Sequence, residues 1–68
     1  MTPDMTKLGR RVKAAREQRG LSQEALASKA GISRGYLARL EIGRHEPSLT
    51  MLETLAKALK VKLADLVK

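Results

Sequence analysis

The chain has 68 residues, with fourteen Lys and Arg against seven Asp and Glu, a formal net charge of +7, no cysteine and one aromatic residue, Tyr36. A chain of this length buries only about 60% of the surface that its unfolded form exposes. It is too small to form a large catalytic cleft. Without cysteine it has no disulfide frame, no thiolate metal site and no cysteine nucleophile, so an enzyme is not expected.

The first predicted helix covers residues 6–19. Its apolar positions Leu8, Val12 and Ala15 follow helical spacing. Gly20 follows at the position where glycine commonly ends a helix, so the helix is expected to stop there.

The second and third predicted helices are short, and each begins after a serine and ends before a glycine. Ser22 is a candidate N-cap, and a helix of about eight residues ends at Gly31. Ser33 repeats the cap, and Gly43 closes the third helix. The buried stripe of the third helix is predicted to be Leu37 and Leu40.

A short loop over residues 44–47 and a cap at Ser48 precede the fourth predicted helix. Its apolar residues fall within about 120 degrees of the helix circumference, and they are Leu49, Leu52, Leu55, Ala56 and Leu59. Residues 61–67 form a fifth, short helix. No segment alternates with period two. The sequence therefore predicts an all-α fold, a compact five-helix bundle formed as one domain by residues 1–68.

The helix pair over residues 22–41 carries the most specific pattern. A short turn that starts with glycine makes two helices cross steeply, which is helix-turn-helix geometry. The stretch "LSQEALASKAGISRGYLARLEIGRHEPS" resembles the lambda repressor and Cro type of helix-turn-helix domain, the XRE family. The resemblance implies a sequence-specific regulator that binds double-stranded DNA, most simply a repressor or autoregulator acting on a near-palindromic operator. The absence of cysteine predicts a cytoplasmic location, because a cysteine-free small domain fits a reducing compartment.

The positive charge is confined to the first part of the chain. Residues 7–44 contain ten basic and three acidic residues, and the remaining residues sum to zero. Such a local field is expected for a protein that binds a polyanion, although a solvated, solubility-giving surface has the same composition.

The predicted outward face of the third helix lies opposite Leu37 and Leu40 and consists of Gly35, Ala38 and Arg39, with Arg34 and Tyr36 flanking it. The predicted base-reading residues are Arg34, Gly35, Ala38 and Arg39. An α-helix fits the major groove of B-DNA, where arginine can bind guanine O6 and N7 and a small apolar side chain can touch a thymine methyl. We expect the two arginines to read bases. Phosphate contacts or free exposure are the alternatives for both.

Other residues are expected to contact the DNA backbone, because helix N-termini hold phosphate groups. The resemblance assigns such a contact to Gln23, whose alternative is to face water. Tyr36 either packs at the core edge or points its hydroxyl at a phosphate. The predicted backbone contacts are Ser22, Gln23, Ser33, Tyr36 and Arg44.

Glu41 falls inside the apolar stripe of the third helix, where a carboxylate needs a partner. Helical spacing leaves both Arg16 and Arg19 as candidates. The resemblance selects Arg16, so we expect a structural ion pair between Arg16 and Glu41.

Three positions bear on specificity and metal binding. Gly35 stands where the family often has a polar base-contacting side chain, and Ile42 stands where it often has a polar one. His45 has no second histidine with which to form a metal site, so we expect a surface residue, no metal and no cofactor.

Twelve of the last twenty residues are apolar. Two short helices cannot easily bury so many, which predicts a homodimer through helix five and the end of helix four. The alternative function is an antitoxin or another interaction module of a toxin-antitoxin pair, in which this patch binds a toxin. The sequence has neither an apolar run of about 18 residues nor a signal-peptide layout at its start, so no membrane association is expected.

Overall fold

The computed structural model describes residues 5–67, and within that range it contains five helices and no strand. The helices are α1 (Met5–Gln18), α2 (Gln23–Ala30), α3 (Arg34–Glu41), α4 (Leu49–Leu59) and α5 (Leu63–Val67). The predicted all-α, five-helix architecture is confirmed. Residues 1–4 and 68 belong to the predicted domain but lie outside the described residues, as does most of the segment used to judge a signal peptide.

Three helices begin directly after a serine that serves as the N-cap, as the sequence predicts. The Oγ atoms of Ser22, Ser33 and Ser48 each accept a hydrogen bond of 3.0 Å from the backbone N–H three residues further on. Each cap stabilises its helix by about 1 kcal/mol. Gly31 ends α2 in the left-handed conformation, with φ of 71°, which only glycine adopts without steric cost. The boundaries of the helix-turn-helix pair therefore follow from local sequence.

The end of α4 differs from the prediction. Lys60 adopts the left-handed conformation with φ of 57°, and the N–H of Val61 donates to the Ala56 carbonyl at 3.0 Å. Because Val61 closes α4 in this way, it cannot begin the next helix. α5 starts at Leu63 and not at residue 61. The Asp65 carboxylate, in the first turn of α5, accepts a hydrogen bond of 3.1 Å from the N–H of Lys62, the residue just before the helix.

The core is aliphatic and receives side chains from all five helices. Its buried members are Leu8, Val12, Leu26, Ala27, Ala30, Leu37, Leu40, Leu52, Leu55, Ala56, Leu59 and Leu66. The predicted stripe of α4 is wrong at Leu49, which is 62% exposed. Leu49 is the first residue of α4 and lies at the edge of the predicted stripe, so its side chain lies outside the core.

The packing of the helices leaves one side of α3 free. α1 packs against α3 and α5, and α2 packs against α3 and α4. The stripe of Leu37 and Leu40 faces these neighbours, while the opposite side of α3 has no helix of residues 5–67 packed on it. No helix in the described part of the chain has the length and apolar character needed to cross a membrane.

Candidate nucleic-acid interface

The free side of α3 carries the side chains that the sequence singled out for base contacts. Arg34, Gly35 and Arg39 are exposed, and Ala38 is half-buried between them and the core. Gly35 leaves space beside Arg39, because a β-carbon at position 35 would meet only the Arg39 Nη1 atom, at 3.4 Å. This side of α3 therefore has small residues in the middle of its sequence, Gly35 and Ala38, and a cationic side chain at each end, Arg34 and Arg39.

The helix starts that were predicted to hold phosphates lie at opposite ends of α3. The side chain of Gln23, at the start of α2, contacts that of Glu41, at the end of α3. Ser33 precedes the other end. The Oγ atoms of Ser22 and Ser33 cap α2 and α3. The groups left for an anion are therefore the serine O–H and the first backbone N–H groups of each helix. Two helix N-termini thus flank the exposed face of α3.

Arg16 and Glu41 form the predicted pair, and both residues are buried. The Arg16 Nε atom donates to Glu41 Oε2 at 2.7 Å, and Nη2 donates to Oε1 at 3.2 Å. A third bond runs from Arg16 Nη1 to the Leu21 carbonyl oxygen at 2.8 Å. The hydrogen bond with Glu41 raises the pKa of the Arg16 guanidinium above its ordinary value, so the cation is retained despite burial. Arg19, the other candidate, is exposed.

Gln23 has a partner that neither sequence alternative included. Its Nε2 atom donates a hydrogen bond of 2.9 Å to Glu41 Oε1, and the residue is half-buried. Sequence reasoning missed this contact. One signal could have indicated it. A carboxylate has about four acceptor sites and a bidentate arginine uses two of them, so a buried Glu41 would be expected to need a further donor.

The loop after α3 folds back onto the helix. The N–H of Arg44 donates to the Arg39 carbonyl oxygen at 2.8 Å, which keeps the exposed Arg44 next to the C-terminal end of α3. The half-buried His45 ring packs edge-on against Tyr36, with ring centroids 4.2 Å apart and planes at 65°. His45 is thus part of an aromatic contact and not a free surface residue. Within residues 5–67, no group of three metal-binding side chains comes together.

The C-terminal apolar residues are only partly covered. Five of the twelve, Leu52, Leu55, Ala56, Leu59 and Leu66, are buried in the core, and four more, Met51, Ala58, Val61 and Leu63, are half-buried. Val67 is 37% exposed, and Ala64 is exposed beside it. The most exposed large apolar residue of the described chain is Ile42, at 63%, just after α3.

Comparisons with known proteins match this chain along most of its length. The family model for helix-turn-helix domains, HTH_3, matches residues 12–66. The immunity repressor protein of Bacillus phage phi105 is 47% identical over 60 residues, which are 88% of this chain. The chain spans 42% of the length of that repressor.

Two solved structures share the fold closely. The restriction-modification controller protein C.AhdI from Aeromonas hydrophila superposes with a TM-score of 0.90 at 38% identity, covering 93% of this chain and 96% of that one. The biofilm regulator SinR of Bacillus subtilis, solved in complex with DNA, superposes with a TM-score of 0.86 at 34% identity, covering 90% of this chain and 98% of that one.

Proposed function

Because the chain belongs to the helix-turn-helix family HTH_3, we propose that it is a transcriptional regulator that binds double-stranded DNA with α3 in the major groove. The observation that carries the proposal is the free side of α3. It presents two exposed arginines, Arg34 and Arg39, with an exposed glycine and a half-buried alanine between them in the sequence. The likeness to SinR, which was solved in complex with DNA, supports DNA binding by this fold.

In this proposal Arg34 and Arg39 read base edges, because each guanidinium can donate two parallel hydrogen bonds to guanine. Gly35 and Ala38 contribute little hydrogen bonding. The missing side chain of Gly35 and the single methyl group of Ala38 allow the helix backbone to approach the groove floor closely, and the Ala38 methyl can contact a thymine methyl.

The DNA backbone would be held at both ends of α3. The helix has eight residues, so it is about 12 Å long, which is close to the width of the major groove. Phosphates of the two strands would then meet the start of α2 at one end of α3 and the start of α3 at the other. The proposed backbone contacts are Ser22, Gln23, Ser33, Tyr36 and Arg44.

A homodimer through α5 and the end of α4 is a further part of the proposal. It is supported by the exposed Ala64 and Val67 together with the half-buried Leu63. A two-fold dimer would read half-sites about 10 base pairs apart in a near-palindromic operator. Sedimentation that shows only monomer at tens of micromolar, with and without DNA, would count against it.

A regulatory role as repressor or autoregulator is proposed for the protein as a whole, and it is supported by the likeness to a phage immunity repressor. The alternative of a toxin-binding antitoxin depends on the apolar patch at the C-terminal end. The exposed apolar residues of α5 are Ala64 and Val67, which form a small surface and give this alternative little support.

Selection of bound sites from random double-stranded DNA tests the proposal. We expect an enriched motif, and we expect the Arg39→Ala variant to lose about tenfold or more in discrimination at one base pair. Lys57→Ala is the matched control, since it removes the same charge from an exposed position on α4. Absence of an enriched motif, or equal losses in the two variants, would contradict the proposal.

A further inference from the structure

We propose that Glu41, although buried, is a positioning residue for DNA binding, because it orients the Gln23 amide toward a phosphate. The inference rests on the proposed function and adds to it a residue that does not touch DNA. Glu41 ends α3 and Gln23 begins α2, so their contact joins the base-reading helix to the helix that would anchor the DNA backbone.

The contacts of Glu41 leave neither carboxylate oxygen free. Oε2 accepts from Arg16 Nε at 2.7 Å, and Oε1 accepts both from Arg16 Nη2 at 3.2 Å and from Gln23 Nε2 at 2.9 Å. Arg16 also donates to the Leu21 carbonyl oxygen, one residue before the cap of α2. One network therefore connects α1, the start of α2 and the end of α3.

The partner of Gln23 determines which way its amide points. A carboxylate accepts hydrogen bonds and donates none, so the NH₂ group of Gln23, and not its carbonyl oxygen, faces Glu41. One N–H of that group is used, and the second N–H on the same nitrogen is directed elsewhere. The backbone N–H of Gln23, in the first turn of α2, has no partner within its helix. These two N–H groups of Gln23 are the donors that remain for a phosphate oxygen.

The ion pair makes this arrangement compatible with an anion. An isolated carboxylate beside a phosphate site would repel the phosphate, but the bidentate contact with Arg16 balances the charge of Glu41. A glutamine that is already ordered in the free protein does not lose rotamer freedom when DNA binds. An ion pair that served only to join α1 to α3 would not require the bond to Gln23.

A double-mutant cycle separates positioning from stability. The four proteins are the wild type, Gln23→Ala, the pair Arg16→Met with Glu41→Leu, and all three changes together. The apolar pair is chosen because replacing a buried ion pair by apolar residues of similar volume is often neutral for folding. Gln18→Ala is the matched control, since Gln18 is exposed on α1.

For the wild-type background, we expect Gln23→Ala to weaken DNA binding about fivefold to tenfold, as for the loss of one net hydrogen bond. In the background of the apolar pair we expect Gln23→Ala to weaken binding by less than about twofold, because the amide is no longer held. Equal losses in the two backgrounds would overturn the inference and leave Gln23 as an independent contact. A wild type that binds no DNA would instead overturn the proposed function, and this inference with it.

A measurement on the free wild-type protein keeps the inference testable if the apolar pair does not fold. We expect the side-chain amide of Gln23 to have an NMR order parameter close to that of rigid backbone, and the amide of Gln18 to be mobile on the same timescale. If the two amides are equally mobile, Glu41 does not orient Gln23.

Discussion

Gly9 of α1 lies directly against the backbone of Glu41, the last residue of α3. A β-carbon at position 9 would lie 2.5 Å from the Glu41 carbonyl oxygen and 2.5 Å from that of Leu40. These are backbone atoms, which cannot rotate away as the end of a flexible side chain can, so only glycine allows this approach. α1 therefore holds Glu41 twice, through its backbone at Gly9 and through its side chain at Arg16.

We expect Gly9→Ala to destabilise the fold by about 2 kcal/mol or more, because the added methyl group forces α1 away from α3. Urea unfolding followed by circular dichroism measures this as a lower midpoint. An unchanged midpoint would mean that α1 can shift without loss of packing.

Gly35→Ala is the contrasting glycine variant, and we expect it to stabilise the protein by about 1 kcal/mol through helix propensity. The added methyl would meet only Arg39 Nη1, at an ordinary contact distance of 3.4 Å. The same methyl projects from the face proposed to enter the groove, so we expect weaker DNA binding by the more stable protein. Unchanged affinity would contradict a close approach of DNA to Gly35.

Glu41→Ala is expected to cost about 3 to 5 kcal/mol, because the buried Arg16 guanidinium loses its partner. Arg16→Met combined with Glu41→Leu should cost much less, since neither charge remains. Thermal and urea unfolding of the two proteins measure the difference. If Glu41→Ala unfolds at the wild-type urea concentration, the ion pair does not stabilise the fold.

Much of the fold follows from local signals that are visible in the sequence. Serine is favoured at a helix N-cap because its hydroxyl accepts from the backbone N–H three residues further on, which is a local interaction. Ser22, Ser33 and Ser48 could therefore be placed without knowledge of tertiary contacts. Gly31 could be assigned to a helix end because its left-handed conformation is costly for other residues. Helical spacing likewise identified the exposed and buried sides of α3.

The remaining features depend on contacts between distant parts of the chain. Nothing local to Gln23 indicates a bond to Glu41, eighteen positions away. Leu49 is apolar and correctly spaced, yet it is exposed because the core ends before the first residue of α4. Gly9 follows no turn or helix end, and its role appears only once α3 lies across it.

Lys60 offers a test of backbone strain, because it is the one residue other than glycine with positive φ among residues 5–67. We expect Lys60→Gly to stabilise the protein by about 1 kcal/mol, since glycine adopts this conformation without steric cost. Lys57→Gly, in the last turn of the same helix, removes the same side chain and should instead destabilise by up to about 1 kcal/mol. Equal shifts of the two urea midpoints would argue against strain at Lys60.

The salt dependence of DNA binding tests the proposed division between base and phosphate contacts. If each protomer neutralises about four to six phosphates, the logarithm of the affinity should fall with the logarithm of salt concentration with a slope of about 4 to 5 per protomer. Arg44→Ala should lower that slope by about 1 and weaken all DNA sequences alike, because a phosphate contact carries no base information.

Titrations of a selected and a scrambled site at several salt concentrations provide both quantities, with Lys57→Ala as the control for loss of one charge outside the interface. Arg39→Ala should instead reduce the difference between the two sites. A slope near zero for the wild type would contradict an electrostatic interface. An Arg44→Ala variant that changes sequence preference would show that Arg44 contacts bases, because removing a pure phosphate contact lowers the affinity for both sites equally.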